Sequence, residues 1–280
     1  MSQRFSKEQR RKLLTVYGRK AVKEALEDPT LDCRALHLAQ SNRKSTIVDD
    51  IVELAHFREV EVFEHGRDAL ARISRNKKQD QGVALDIFCP ALNTLDDYLT
   101  TLASGQASHL IALDGVANPQ NFGMSIRSIT AAGLNGLLLA ARGNPALGSL
   151  VIKASAGCAF RAPLLRCQTI VAALDALERE GFQLYRLSAD SAHNLMSDSV
   201  KVAPRAVFVL GGETDGLSRE VRSRSGSDLS IPMENSVESL NVAVSASLLA
   251  FELKRRRDQL ALLLITLSPR SGRRQTIAIA

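Results

Sequence analysis

Tryptophan is absent from this chain, and aromatic residues make up only 4% of its 280 residues. Its cores must therefore be built mainly from Leu, Ile, Val and Ala rather than from stacked rings. The four cysteines, Cys33, Cys89, Cys158 and Cys167, form no CxxC and no paired spacing. That argues against a zinc ribbon or a disulfide-stapled scaffold and favours a reduced, cytoplasmic protein. No apolar run approaches the ~20 residues of a bilayer span, so no membrane partner is expected. The basic, polar N-terminus also lacks the apolar stretch of a secretory signal. His37, His56, His65, His109 and His193 stand without metal-ligand spacing, and no metal is expected. Neither GxGxxG nor GxxxxGK[ST] occurs, which counts against a nucleotide-phosphate enzyme.

What remains is an ordinary globular composition, 45% apolar and 24% charged, long enough for roughly two domains. The net charge is +6 and unevenly placed. Arg4, Lys7, Arg10, Arg11, Lys12, Arg19 and Lys20 crowd the start against a lone Glu8, and Lys254 to Arg257 form a second cluster. Clustered basic charge is the footprint of a polyanion binder, with solubility as the plainer reading.

Periodicity divides the chain further. Residues 1–16 read as a flexible basic arm and 17–90 as a small alternating α/β domain. Residues 91–108 read as a linker, 109–266 as a second alternating domain, and 267–280 as a basic tail. In the second domain, short apolar runs at Leu110 to Leu113, Leu137 to Ala140, Leu164 to Cys167, Gln183 to Leu187, Val207 to Leu210 and Leu229 to Ile231 alternate with helical spacing. Such alternation predicts a mostly parallel sheet whose ligand sits beyond the carboxyl ends of its strands.

Three loops stand out. In LDGVANPQNFGMSIRS, Leu113 to Ser128, Pro119 delays a helix that Asn121 is placed to cap, and Arg127 follows on its early turns. In VLGGETDGLS, Val209 to Ser218, the Gly211-Gly212 turn lets a ligand approach. The acids Glu213 and Asp215 suit a cation or a sugar hydroxyl better than a phosphate. In SIPMENSVESLNVAVSASLLAFE, Ser230 to Glu252, Ile231, Met233 and Leu240 are placed to line an apolar slot. Ser239 stands where the N-cap of the last helix belongs, and Asn241 offers a second polar group. Leu240, Val244, Leu248 and Phe251 form one helical stripe there, with a stripe of small residues, Ala243, Ser247 and Ala250, beside it.

In this order and spacing the loops resemble the SpoU family of RNA ribose 2′-O-methyltransferases, over about Leu110 to Leu253. KASAG, Lys153 to Gly157, resembles the family too. The first domain is similar to the family's L30e-like substrate-binding domain, ending at QGV, Gln81 to Val83. Departures are mild: Asp80 replaces a frequent histidine, Asn118 an aspartate, Gly212 an asparagine and Asn235 a glycine. Asn tolerates the left-handed backbone that the last position needs.

The resemblance implies a trefoil-knotted (SPOUT) α/β domain, S-adenosylmethionine as cofactor, ribosomal or transfer RNA as substrate, and a homodimer. It implies cofactor contacts at Leu210, Gly211, Glu213, Ile231, Met233 and Leu240. It gives functional roles to Asn121, Arg127, Glu213, Ser239 and Asn241. The alternative reading is a catalytically inactive SpoU-like RNA-binding protein, against which all five polar positions stand intact. In the family an arginine, here Arg127, is proposed as the base. An arginine keeps its proton below pH ~12, so contact with an RNA phosphate is the more physical role.

Overall fold

A computed structural model describes residues 6–42 and 45–267, with the side chains of residues 7, 8 and 263–267 excepted. The first sheet contains β1 (Leu13–Tyr17), β2 (Asp32–Ala39), β3 (Glu61–His65) and β4 (Val83–Phe88) in the order β1-β4-β2-β3. β4 runs antiparallel to β1 and β2, whereas β2 and β3 are parallel. Around it lie α1 (Lys7–Arg11), α2 (Arg19–Glu27), α3 (Thr46–Phe57) and α4 (Arg67–Ser74). The expected arm therefore includes ordered structure: Ser6 and Gln9 form a capping box on α1, and Leu13–Tyr17 is a strand.

The chain continues through β5 (Asn93–Thr94), α5 (Leu95–Thr101), β6 (Ser108–Asp114), α6 (Pro119–Ala132) and β7 (Gly136–Ala140). Next come α7 (Ser149–Ala154), β8 (Leu164–Cys167), α8 (Ile170–Arg179), β9 (Gln183–Leu187) and β10 (Arg205–Gly211). It ends with α9 (Arg219–Arg222), β11 (Ser227–Leu229) and α10 (Val242–Leu267). The second sheet has the order β11-β9-β10-β6-β7-β8-β5, and all of its pairings are parallel. Strands covered on both faces can be apolar throughout, which is why Leu110, Ile111, Ala112 and Leu113 are all buried. The expected linker is not free chain, since β5 pairs with β8 and Thr94 caps α5.

One apolar core runs between the two sheets, joining Leu14, Leu26 and Cys89 to Phe160 and Leu164. Arg166 fastens the junction by donating to the backbone oxygens of Arg11 and Leu13, each at 2.9 Å. Arg11 in turn pairs with Asp97.

This use of arginine recurs. Arg58 donates to the carbonyls of Leu26, Asp28 and Leu31, and Arg205 to those of Ala103, Gln106 and Glu180. The basic cluster on α10 behaves likewise, contrary to its reading as a polyanion footprint. Arg257 holds the Gly133 oxygen at 2.6 Å, and Arg256 holds the carbonyls of Leu195, Ser197 and Val200. Arg255 and Arg256 both donate to the buried Glu252.

The Glu252 carboxyl is held below its ordinary value of 4.5, first by the bond from Arg255 and then by that from Arg256. A lowered carboxylate stabilises the fold above its unfolded pKa, and that contribution is lost as pH falls through the lowered value. Arg256→Ala removes several charge-assisted bonds at once and is expected to cost about 2–4 kcal/mol. Thermal unfolding checks this, with the deficit shrinking in acid below pH ~4.5 as Glu252 is protonated.

No helix among the described residues is long and apolar enough to cross a membrane. The four cysteines are unpaired, and burial pushes the Cys89 thiol up to about 12 and the Cys167 thiol to about 11.

Candidate active site

Gly211 lies opposite Asp114 in the parallel register of β10 and β6, so two of the three loops leave the sheet side by side. The turn after β10 is closed by reciprocal backbone bonds between Gly212 and Gly216, at 3.2 and 3.0 Å. Ser218 then donates its N–H to the Asp114 carboxylate at 2.7 Å, tying the second loop to the first. Space at this crossing is minimal. A Cβ on Gly211 would lie 2.2 Å from the Gly216 carbonyl carbon, and one on Gly212 would lie 2.7 Å from the Gly115 oxygen. Side chains are excluded here by backbone, which explains the glycine pair.

α6 begins one residue after Asn118, whose side chain accepts from the N–H groups of Gln120 and Asn121, with Pro119 in the first turn. Asn118, not Asn121, is thus the cap. Asn121 lies inside the helix, buried, and its amide donates to Glu213 Oε1 at 2.7 Å. Asn241 donates to the same Oε1 at 2.6 Å and to Asn121 Oδ1 at 3.1 Å. The Asn241 side-chain oxygen accepts from the N–H of Ala243 at 2.9 Å and caps α10. The cap expected at Ser239 therefore falls two residues later. One residue from each loop meets in a closed triangle, and both donors reach a single oxygen of Glu213. Its Oε2 has no protein donor among the described residues.

The third loop leaves β11 at Leu229, two residues before the expected strand end. Ser230 makes only an isolated bridge to Asn194. Asn235 and Ser236 have φ of 55° and 58°, so Asn235 does adopt the left-handed conformation expected of it.

The second and third loops, with the end of β9, line an open cavity of about 480 Å³. Leu210, Gly211, Ile231, Met233 and Leu240 line it, with Glu213, Ser239 and Asn241 at polar positions. Leu187, Ser188 and Ala189, at the end of β9, line it as well. Nothing in the composition of those three residues marks them; only strand order, with β9 beside β10, brings them there. Asn121 supports the cavity from behind Glu213. Arg127 is not among the lining residues: it is exposed on α6, one turn after Met124, which is 42% exposed.

On α10 the small residues face inward. Ala243, Ala246 and Ala250 are buried, α10 packs on α6, and the hydroxyls of Ser247 and Ser128 are 2.7 Å apart. The larger stripe is turned outward, with Val244 47%, Leu248 37% and Phe251 49% exposed.

The sequence profile of the SpoU rRNA methylase family matches residues 108–251, the region that carries all three loops. A second profile, for RNA 2′-O ribose methyltransferase substrate binding, matches residues 15–91. The chain belongs to the SpoU family of RNA ribose 2′-O-methyltransferases. A relative in Xanthomonas axonopodis pv. citri, a 23S rRNA (guanosine-2′-O-)-methyltransferase, is 32% identical over 86% of this chain and 96% of its own length. An uncharacterized tRNA/rRNA methyltransferase of a Mycobacterium species is also 32% identical, over 86% of this chain and 76% of its own.

Among solved structures, the SpoU methyltransferase AviRb of Streptomyces viridochromogenes, in complex with AdoMet, superposes with a TM-score of 0.58 at 23% identity. That match covers 92% of this chain and 95% of AviRb. A TrmH-family protein of Porphyromonas gingivalis superposes at 0.56 with 25% identity, covering 88% of this chain and 91% of its own. The family fold thus extends over both sheets.

Proposed function

We propose that the chain transfers a methyl group from S-adenosylmethionine to a ribose 2′-hydroxyl of ribosomal RNA. The observation that carries this reading is that one polar residue from each of the three family loops meets in the Asn121–Glu213–Asn241 triangle, at the wall of a cavity lined by the second and third loops. The Xanthomonas relative favours ribosomal over transfer RNA. Residues 17–90 then form the RNA substrate-binding domain and 109–266 the methyltransferase domain, working in the cytoplasm.

The cavity suits the cofactor. Its volume of about 480 Å³ falls in the ~300–1,000 Å³ range of small-molecule sites. Leu210, Ile231, Met233 and Leu240 offer apolar walls, and Glu213 is the one charged residue of the lining. With no lysine or arginine in that lining, a phosphate finds no counter-charge, whereas a cationic ligand finds a carboxylate.

S-adenosylmethionine supplies an electrophilic methyl on a positively charged sulfonium. Positioning is then the main task of the protein. Asn121 and Asn241 fix Glu213 by engaging Oε1, and Oε2 is left to take the proton of the ribose hydroxyl. Ser239, on the cavity rim, binds the ribose. Arg127 holds the adjacent RNA phosphate through its guanidinium and stabilises the developing alkoxide.

Because Arg127 lies outside the cavity lining, it serves this role best across a homodimer. The outward stripe of Val244, Leu248 and Phe251, with Met124 one turn before Arg127, offers a second copy an apolar seat beside it. In the same reading the return of the chain from edge strand β11 to α10, packed on α6, is the closing pass of a trefoil knot.

Arg127→Ala tests the arginine. Methyl transfer from labelled cofactor is expected to fall by about 100-fold or more, the scale of losing one transition-state contact of this kind. Cofactor affinity should hold; wild-type turnover would reject the role. Leu248→Glu with Phe251→Glu is expected to give a monomer by sedimentation that binds cofactor but does not methylate. A dimeric, active double variant would reject the shared site.

A further inference from the structure

The first sheet is covered unequally. Leu14, Val16, Leu36, Leu38, Leu85 and Ile87 form a buried apolar face shared with Val22 and Leu26 of α2 and Ile51 of α3. On the opposite face α4 packs Leu70 and Ile73 over Tyr17, Ala39 and Ala84. That face also carries Thr15, His37, Phe63, His65, Asp86 and Phe88, brought together by the strand registers, with Leu13 and Glu61 at its margins.

Thr15, Asp86, His37, His65 and Phe63 form a continuous array. Thr15 donates to Asp86 Oδ1 at 2.6 Å, and Asp86 Oδ2 meets His37 Nε2 at 3.2 Å. His37 Nδ1 meets His65 Nε2 at 3.0 Å. His65 Nδ1 ends the chain, with no protein partner among the described residues. Phe63 stacks on His37 with centroids 5.7 Å apart and planes 21° from parallel, and it lies 6.4 Å from the His65 ring. The Arg34 guanidinium sits 5.3 Å over Phe88 at the other end. Phe63, His65 and Phe88 are all partly exposed.

A polar chain across the middle of a sheet costs desolvation that an apolar cover would avoid, so it is a poor device for stability alone. Rings in a row with a free polar edge are the means by which sheet surfaces hold unpaired bases: the ring stacks and the edge reads. Burial, and then the neighbouring His37, hold the His65 imidazole below its ordinary range, so it meets a ligand as a neutral ring. A neutral ring suits a base edge better than a phosphate. The array also lies within residues 15–91, the stretch matched by the substrate-binding profile.

We propose that this open face of the first sheet binds an unpaired base of the RNA substrate, stacked on Phe63 and hydrogen-bonded at His65. The proposal rests on the reading of the chain as an RNA enzyme and names the surface that selects a single-stranded element next to the target.

The test uses the full-length chain with a short unstructured RNA carrying 4-thiouridine, and a hairpin of the same composition fully paired. Crosslinks mapped by mass spectrometry are expected in the peptides containing Phe63, His65 and Phe88, from the unpaired RNA alone. Phe63→Leu and His65→Gln, with circular dichroism confirming the fold, should each weaken that RNA by about five-fold or more, the scale of one stacked base. Calorimetric affinity for S-adenosylmethionine should stay unchanged. Crosslinks confined to other surfaces, equal binding of the paired hairpin, or full affinity in both folded variants would overturn the proposal. Methyl transfer is not read in this experiment, so an inactive enzyme leaves the base site standing, and an unused base site leaves the cofactor cavity standing.

Discussion

Alanine in place of Gly211 is expected to abolish measurable binding of S-adenosylmethionine, a loss of at least about 100-fold. The added methyl would lie 2.2 Å from the Gly216 carbonyl carbon and 2.4 Å from the Leu217 nitrogen. Both are backbone atoms of a turn closed by two hydrogen bonds, so no side chain can swing aside to make room. Overpacking of this kind costs about 1–3 kcal/mol even where neighbours relax. Here relaxation moves Leu217 and the turn that carries Glu213, both of which line the cavity. Displacement by about 1 Å at a positioned site is enough for a 100-fold effect. Calorimetry measures the affinity, and circular dichroism confirms the fold. Wild-type affinity in a folded Gly211→Ala protein would show that the cofactor does not use this turn.

Asn121→Ala is expected to lower methyl transfer by about 10- to 100-fold while leaving cofactor affinity nearly intact. Asn121 does not line the cavity; it donates to Glu213 and accepts from Asn241. Truncation removes one charge-assisted bond to a carboxylate, a loss of about 1.5–3 kcal/mol, and frees Asn241 from one partner. Each 1.36 kcal/mol is tenfold in rate, which sets the range. Asn121→Asp should be at least as damaging, because it places a second carboxylate against Glu213. Single-turnover transfer from labelled cofactor to ribosomal RNA provides the readout. Unchanged rates in Asn121→Ala would mean that the triangle is only a structural tie.

Much of this site was legible in the sequence because the three loops lie at strand ends, and strand ends could be read from apolar runs and glycine turns. The helix caps were not. Asn118 and Asn121, like Ser239 and Asn241, are equally able to cap, and the outcome depends on which side chain the tertiary network claims. Asn121 is drawn to Glu213, leaving Asn118 to cap α6, whereas Asn241 serves the network and the cap together.

Periodicity likewise identified two stripes on α10 without saying which one faces inward. The small stripe is inside because α6 approaches closely enough for the Ser128 and Ser247 hydroxyls to meet. Arginine misled for a similar reason. A run such as Lys254 to Arg257 looks like a solvated basic patch until the carbonyls of residues 132, 133, 195, 197 and 200 come into reach through folding. Arg127 is the instructive contrast, a motif residue that the fold leaves exposed. The triangle is complete within one chain, whereas Arg127 lies outside it and outside the cavity lining.

Ribose methylation of ribosomal RNA is read out by a map of 2′-O-methyl groups across ribosomal and transfer RNA. Cells with the chain, without it, and with an Asn121→Ala copy in its place are compared. One ribosomal position is predicted to lose its methyl group when the chain is removed and to remain undermethylated with Asn121→Ala. Identical maps in all three, or a lost methyl group confined to transfer RNA, would exclude ribosomal RNA as the substrate.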